Sequence, residues 1–130
     1  MQSFFPVVRF AVGFFGYRRI CEIGSRLGRN ADRLRTLAGA EVEIIDPGLH
    51  EDLLAKFREY GNVTVHNGLS LEVLPELREP FECILIDGDH NWYTVYHELA
   101  MIRSQGLLAP HGAVFFHDVA WPYGRRDMYY

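Results

Sequence analysis

The chain has 130 residues, 48% of them hydrophobic, which is enough for one compact domain with a buried core and too few for a second. Thirteen basic against seventeen acidic residues leave a net charge of -4, which argues against a general nucleic-acid binder. The short basic clusters Arg18-Arg19, Arg26 to Arg35 and Arg125-Arg126 read as solvated faces, and no apolar run reaches the roughly 18 residues a membrane span needs.

In chain order, residues 1–17 read as an N-terminal packing helix or lid. Phe4 to Gly16 is apolar and aromatic, but Arg9 interrupts it and no small-residue cleavage site follows, which speaks against a signal peptide. Beyond it, short apolar runs alternate with amphipathic segments. Strands are expected at Arg19–Ile23, Val42–Asp46, Val63–His66, Cys83–Asp87 and Ala113–His117. Helical spacing marks Asn30–Leu37, Leu49–Tyr60, Leu69–Leu77 and Trp92–Gln105, with Gly39, Gly61 and Gly106 where helices stop.

That alternation is the pattern of β-α-β units around a parallel sheet. The strands are continuous Val, Ile, Leu and Phe runs, so both sheet faces should be covered. Right-handed crossovers then favour an α/β fold with a Rossmann-like doubly wound parallel sheet of strand order 3-2-1-4-5. The expected layout is a single domain over 1–130, with its core at 18–118 and a substrate loop or tail at 119–130. Cys21 and Cys83 lie inside strand-like runs away from other metal ligands. They read as buried reduced thiols, which suits a cytoplasmic protein.

Candidate ligand residues fall at strand ends, where open α/β sheets bind ligands. The first strand closes into Glu22-Ile-Gly-Ser-Arg-Leu-Gly28, whose glycines let backbone approach a ligand at the start of the next helix. Asp46, ending the second strand, can accept both hydroxyls of a ribose. A nicotinamide dinucleotide would call for G-x-G-x-x-G, with glycines at 24, 26 and 29, but Arg26 and Arg29 stand there. Ile84-Leu-Ile-Asp-Gly-Asp-His90 and Phe115-Phe-His-Asp118 each run from apolar strand into carboxylate and imidazole. Asp87 and Asp118, at neighbouring tips, are a natural pair for a divalent cation such as Mg²⁺. His90 has the pKa range of a general base.

The Glu-x-Gly-x-x-x-Gly spacing followed by Asp46 resembles motif I of the class I S-adenosylmethionine-dependent methyltransferases, usually Asp/Glu-x-Gly-x-Gly-x-Gly. Ile86-Asp-Gly-Asp-His90, His117-Asp118 and Trp121-Pro-Tyr-Gly-Arg-Arg126 are similar to segments of the small-molecule and sugar O-methyltransferase branch that includes cephalosporin-hydroxylase-like proteins. The resemblance runs from Ile20 to the terminus. It implies that Glu22, Gly24, Ser25 and Gly28 hold the methionine end of S-adenosyl-L-methionine, and Asp46 its ribose. Gly68 and Ser70, after the third strand, would lie near the adenine, and Asp87 would also border the cofactor.

The same resemblance implies that His90 is the catalytic base and that Asp87, His117 and Asp118 hold a metal, Mg²⁺ or Mn²⁺. His117 stands where that branch has an acidic ligand, which shifts preference toward softer ions. The implied activity is methyl transfer to a hydroxyl of a small molecule, such as a sugar, without nucleic acid or membrane. Arg26 departs from the usual middle glycine. The branch's fold also continues through a further helix and an antiparallel strand pair, whereas this chain ends twelve residues after Asp118. The expected sheet therefore lacks that pair, and its bare edge invites a homo-oligomer. Two alternatives stay open: a truncated, non-catalytic module, and an NAD-dependent oxidoreductase.

Overall fold

A computed structural model describes residues 5–117 of the chain. Its elements are α1 (Phe5–Phe15), β1 (Arg19–Ile23), α2 (Arg29–Leu34), β2 (Glu41–Ile45), α3 (Glu51–Arg58), β3 (Val63–His66), α4 (Ser70–Val73) continued by a 3-10 turn (Leu74–Glu76), β4 (Phe81–Ile86), α5 (Trp92–Ser104) and β5 (Leu108–Phe116). The strands form one sheet in the order β3-β2-β1-β4-β5, and every pairing is parallel.

Side chains alternate across each strand, so the sheet builds two cores. Ile20, Val42, Ile44, Cys83 and Leu85 face Val8 and Val12 of α1, Ala31 and Leu34 of α2, and Phe57 of α3. On the opposite face, Cys21, Ile23, Ile45, Ile84 and Ile86 meet Leu74 and Ile102. Both faces are covered at β1 and β4, whereas β2 and β3 keep a polar alternation, with Glu41 and Thr64 exposed and Glu43 and His66 half-buried, so the expectation of continuously apolar strands holds only for the middle of the sheet. The two cysteines are free, and they point to opposite faces of adjacent strands, so no disulfide can join them.

Helix ends follow local chemistry. His50 caps α3 by accepting the Asp52 N–H through Nδ1 at 3.3 Å, and Glu51, Asp52, Lys56 and Arg58 place charges that complement its dipole. Asn91 caps α5 by accepting the Tyr93 N–H at 2.9 Å. The helix expected over Leu69–Leu77 is instead split after Val73, because Pro75 lacks the N–H an α-helix would use there.

The last strand starts at Leu108, five residues before the expected Ala113. Between the pairs Phe81↔Leu108 and Cys83↔Ala113, Glu82 alone faces Ala109–Gly112, and His111 takes a φ of 65° in that bulge. Pro110 and Gly112 hide a strand from pattern reading, since both are tolerated only at edges and bulges. Among the described residues β5 is a sheet edge, and no helix is long and apolar enough to cross a membrane.

Candidate cofactor and catalytic site

Because the strands are parallel, the carboxyl ends of β1, β2, β4 and β5 open on one rim. The order of successive strands reverses between β1 and β4, which creates the crevice where such sheets bind ligands. Gly24 sits at this point with φ 81°, and a Cβ on it would overlap the Gly88 Cα. The loop after β1 and the Asp-Gly-Asp-His loop after β4 are thereby in direct backbone contact. Gly24 N–H donates to Ile45 O at 2.9 Å and Asp87 N–H to Ile23 O at 2.8 Å, so three strand ends are tied together.

Asp46 organises the β1 loop. Its Oδ2 accepts the Ser25 and Arg26 N–H groups at 2.8 Å each, and its Oδ1 accepts the Gly48 N–H at 2.7 Å. Three of a carboxylate's roughly four acceptor positions are thus used within the chain, and the remaining capacity at Oδ1 is what a ribose hydroxyl would meet. Arg26, where motif I usually has glycine, is held at φ 50° with its side chain exposed. Gly28 opens α2 at φ 67°, packed so closely on Phe57 that a Cβ would stand 2.6 Å from the ring.

Glu22 is fully buried under this loop. Its Oε2 accepts the Ser25 hydroxyl at 2.6 Å, whereas Oε1 makes no hydrogen bond of good geometry among the described residues. Burial raises its pKa from 4.5 to about 7, partly offset by Ser25, Asn30 and the Ala31 backbone.

A cavity of about 320 Å³ opens between the ends of β1 and β2, the start of α4 and the flank of α5. Ile23, Ile45, Pro47 and Leu69 give it apolar walls, and Ser70, Asp89, Thr94 and Glu98 supply polar groups. Gly68 lies just before it, packed on Val73. Asp89 is committed locally: it accepts the Asn91 N–H at 3.0 Å and the Thr94 hydroxyl at 2.8 Å. Glu98 went unnoticed in the sequence. Its spacing from Val95 and Ile102, both packed on the second core, was the available sign that it faces inward.

A second group of side chains follows the Gly24–Gly88 contact in the loop after β4 and at the end of β5. Asp87 Oδ1 lies 2.8 Å from His117 Nδ1, and Asp87, His90 and His117 can each offer a ligand atom within 4.8 Å of the others. The His90 and His117 rings are 6.3 Å apart. Asp118 and the Trp121–Arg126 segment lie outside the described residues. His97 packs on Tyr93 and Tyr96 instead of joining the cluster.

A parallel 3-2-1-4-5 sheet with a glycine loop after β1 and an acid after β2 is the arrangement of a nucleotide-type cofactor domain, and an acid-imidazole cluster stands at the ends of β4 and β5. Residues 21–119 match the family model described as a methyltransferase domain, and the chain belongs to that family, the class I S-adenosylmethionine-dependent methyltransferases.

Solved structures agree in fold. A methyltransferase from Podospora anserina with S-adenosylhomocysteine bound superposes with a TM-score of 0.75 at 24% identity, covering 92% of this chain and 54% of that one. A Staphylococcus aureus protein assigned as a caffeoyl-CoA O-methyltransferase gives 0.78 at 16%, covering 93% and 59%. A 1,6-didemethyltoxoflavin N1-methyltransferase from Burkholderia thailandensis, bound to 1,6-didemethyltoxoflavin and S-adenosylhomocysteine, gives 0.65 at 18%, covering 85% and 49%. The chain therefore spans about half to three fifths of the length of these structures. No curated protein sequence matches significantly.

Proposed function

We propose that the chain binds S-adenosylmethionine and directs its methyl group to a hydroxyl of a small molecule, a sugar-type polyol being the favoured acceptor. The observation that carries this reading is the Gly24–Gly88 contact, which puts the cofactor loop and the Asp87/His90/His117 cluster back to back on one rim. Fit to the cofactor rests on three features: the buried Glu22 carboxyl under the glycine loop, the open capacity of Asp46, and a mostly apolar cavity lined by Gly24 and carrying a few polar groups. Glu22, Gly24, Ser25 and Gly28 would hold the amino-acid end, Asp46 the ribose, and Gly68 with Ser70 the base. The bound sulfonium supplies an activated methyl group.

The chain's part is to prepare the oxygen that receives it. His90 is exposed beside the cluster, placed to take the proton of an incoming hydroxyl at an imidazole nitrogen. Asp87 and His117 fit a divalent cation, with Asp118 next in sequence as a further ligand. Carboxylates with an imidazole suit Mn²⁺ or another first-row ion better than Mg²⁺. Such an ion would lower the pKa of the acceptor hydroxyl and orient it. The free buried cysteines support a reducing, cytoplasmic setting, and the β5 edge offers a second copy a place to pair.

Calorimetric titration with S-adenosylhomocysteine, with and without Mn²⁺ or Mg²⁺, tests the reading. Binding that weakens in Asp46→Asn supports it, and NAD binding more tightly than S-adenosylhomocysteine would overturn it. His90→Ala should abolish methyl transfer while sparing cofactor binding.

A further inference from the structure

Glu98 is the one carboxylate on the sheet-facing side of α5, 1% exposed, with its neighbours on that face apolar. Burying such a group is costly unless every oxygen finds a donor. Its Oε1 is held by the Ser70 hydroxyl at 2.5 Å, but Oε2 has no hydrogen-bond partner among the described residues. The side chain forms part of the wall of the 320 Å³ cavity, which Ile45 and Pro47 at the end of β2 also line. The other carboxylate there, Asp89, has each oxygen held by a local donor, whereas Glu98 has one oxygen with no hydrogen bond among the described residues.

We infer that Glu98, positioned by Ser70, is the residue that selects adenine over other purines, accepting the exocyclic amine of the base through Oε2. The inference rests on the reading that this cavity takes the adenosyl end of the cofactor. Asp46 sets the ribose at the mouth of the cavity, and a flat base extending inward meets apolar walls on its faces and Glu98 at its edge. The terminal carboxyl torsion is soft, so Oε2 can turn toward the base while Oε1 keeps its bond. Burial raises the Glu98 pKa and nearby Asp89 adds to the rise. Protonated on Oε1 the group donates to Ser70, and ionised it accepts from it; Oε2 is an acceptor in both states.

The test compares S-adenosylhomocysteine with S-inosylhomocysteine, in which a carbonyl replaces the amine, by calorimetry on the whole chain. Wild type should prefer the adenine compound by about 10- to 100-fold, the range of one hydrogen bond to a charged or buried acceptor. In Glu98→Gln, whose amide can serve either base, the preference should fall to within about threefold. Ser70→Ala should lower it part-way by freeing the carboxyl, and it stands in if the first variant fails to melt cooperatively. An unchanged ratio in the folded variants would overturn the role of Glu98 while leaving the cofactor site intact. Failure of wild type to bind S-adenosylhomocysteine at all would overturn the cofactor reading and this inference with it.

Discussion

Arg26 occupies a left-handed conformation, φ 50°, at the position where motif I usually carries glycine. For a residue with a Cβ that conformation costs about 1–2 kcal/mol. Arg26→Gly removes this cost but adds back about 0.4–1 kcal/mol through the freer unfolded chain. The N–H that donates to Asp46 is retained, and the exposed guanidinium takes part in no ion pair among the described residues, so its loss is nearly neutral. The net expectation is a gain of about 0.5–1 kcal/mol, or roughly 2–4 °C in Tm for a chain of this size. Urea titration should show the midpoint rising at constant slope. Arg26→Ala is the control, because alanine keeps the left-handed cost and should not gain. If the glycine variant is no more stable than the alanine one, the loop is not strained at this position and the argument fails.

Stability should also depend on Glu22. Between pH 4.5 and about 7 the folded chain holds a proton that the unfolded chain has released, so stability falls as pH rises through that window, by up to about 3 kcal/mol. Glu22→Gln should flatten that stretch of the pH profile and melt above wild type at pH 8; an unchanged slope would remove Glu22 as its source. Gly24→Ala should cost more than about 3 kcal/mol, since its Cβ meets Gly88 backbone at φ 81°, whereas Gly88→Ala, whose Cβ finds only ordinary 3.5 Å contacts, should cost under about 1 kcal/mol. Equal melting curves for the two would contradict the contact. Co²⁺ added to the chain should develop visible d–d absorption that Asp87→Asn and His117→Ala each diminish, and a spectrum indifferent to both places the ion elsewhere. Cys21 and Cys83, fully buried with thiol pKa values pushed well up, Cys83 to about 12, should resist thiol reagents until the chain unfolds.

The order of the sheet was legible because its central strands, β1 and β4, are buried on both faces and the strands are separated by helical spacing. Arg19–Ile23 and Val63–His66 are strands over the same residues in sequence and structure, since each stands between clear turn or helix signals. The early half of β5 was not legible, because Pro110 and Gly112 imitate a loop where the edge strand bulges. Pro75 likewise cut a helix whose apolar spacing continued past it. In the site, the placement of Asp87 and His117 side by side follows from β4 and β5 being neighbours, so strand order alone brought them together. What strand order cannot supply is a contact across the switch point. Gly24 and Gly88 are 64 positions apart, and each taken alone is an ordinary turn glycine.

Glu98 and Asp46 show the same limit from the side of electrostatics. In a helix such as Trp92–Ser104, which exposes Trp92, Tyr93 and Tyr96, apolar spacing gives poor guidance to the inner face, so a glutamate there reads as solvated. The spacing from Val95 and Ile102 is the one sign of an inward glutamate, and the partner that engages it, Ser70, lies on a helix 28 positions away. The sequence led to Asp46 as a candidate ligand residue and not as the clamp of the loop after β1, a role that depends on backbone N–H groups and leaves no trace in side-chain spacing. The two roles are linked physically. The bonds that fix Ser25 and Arg26 also hold the Asp46 carboxylate still, so a ribose would meet an acceptor already oriented, with little entropy left to lose.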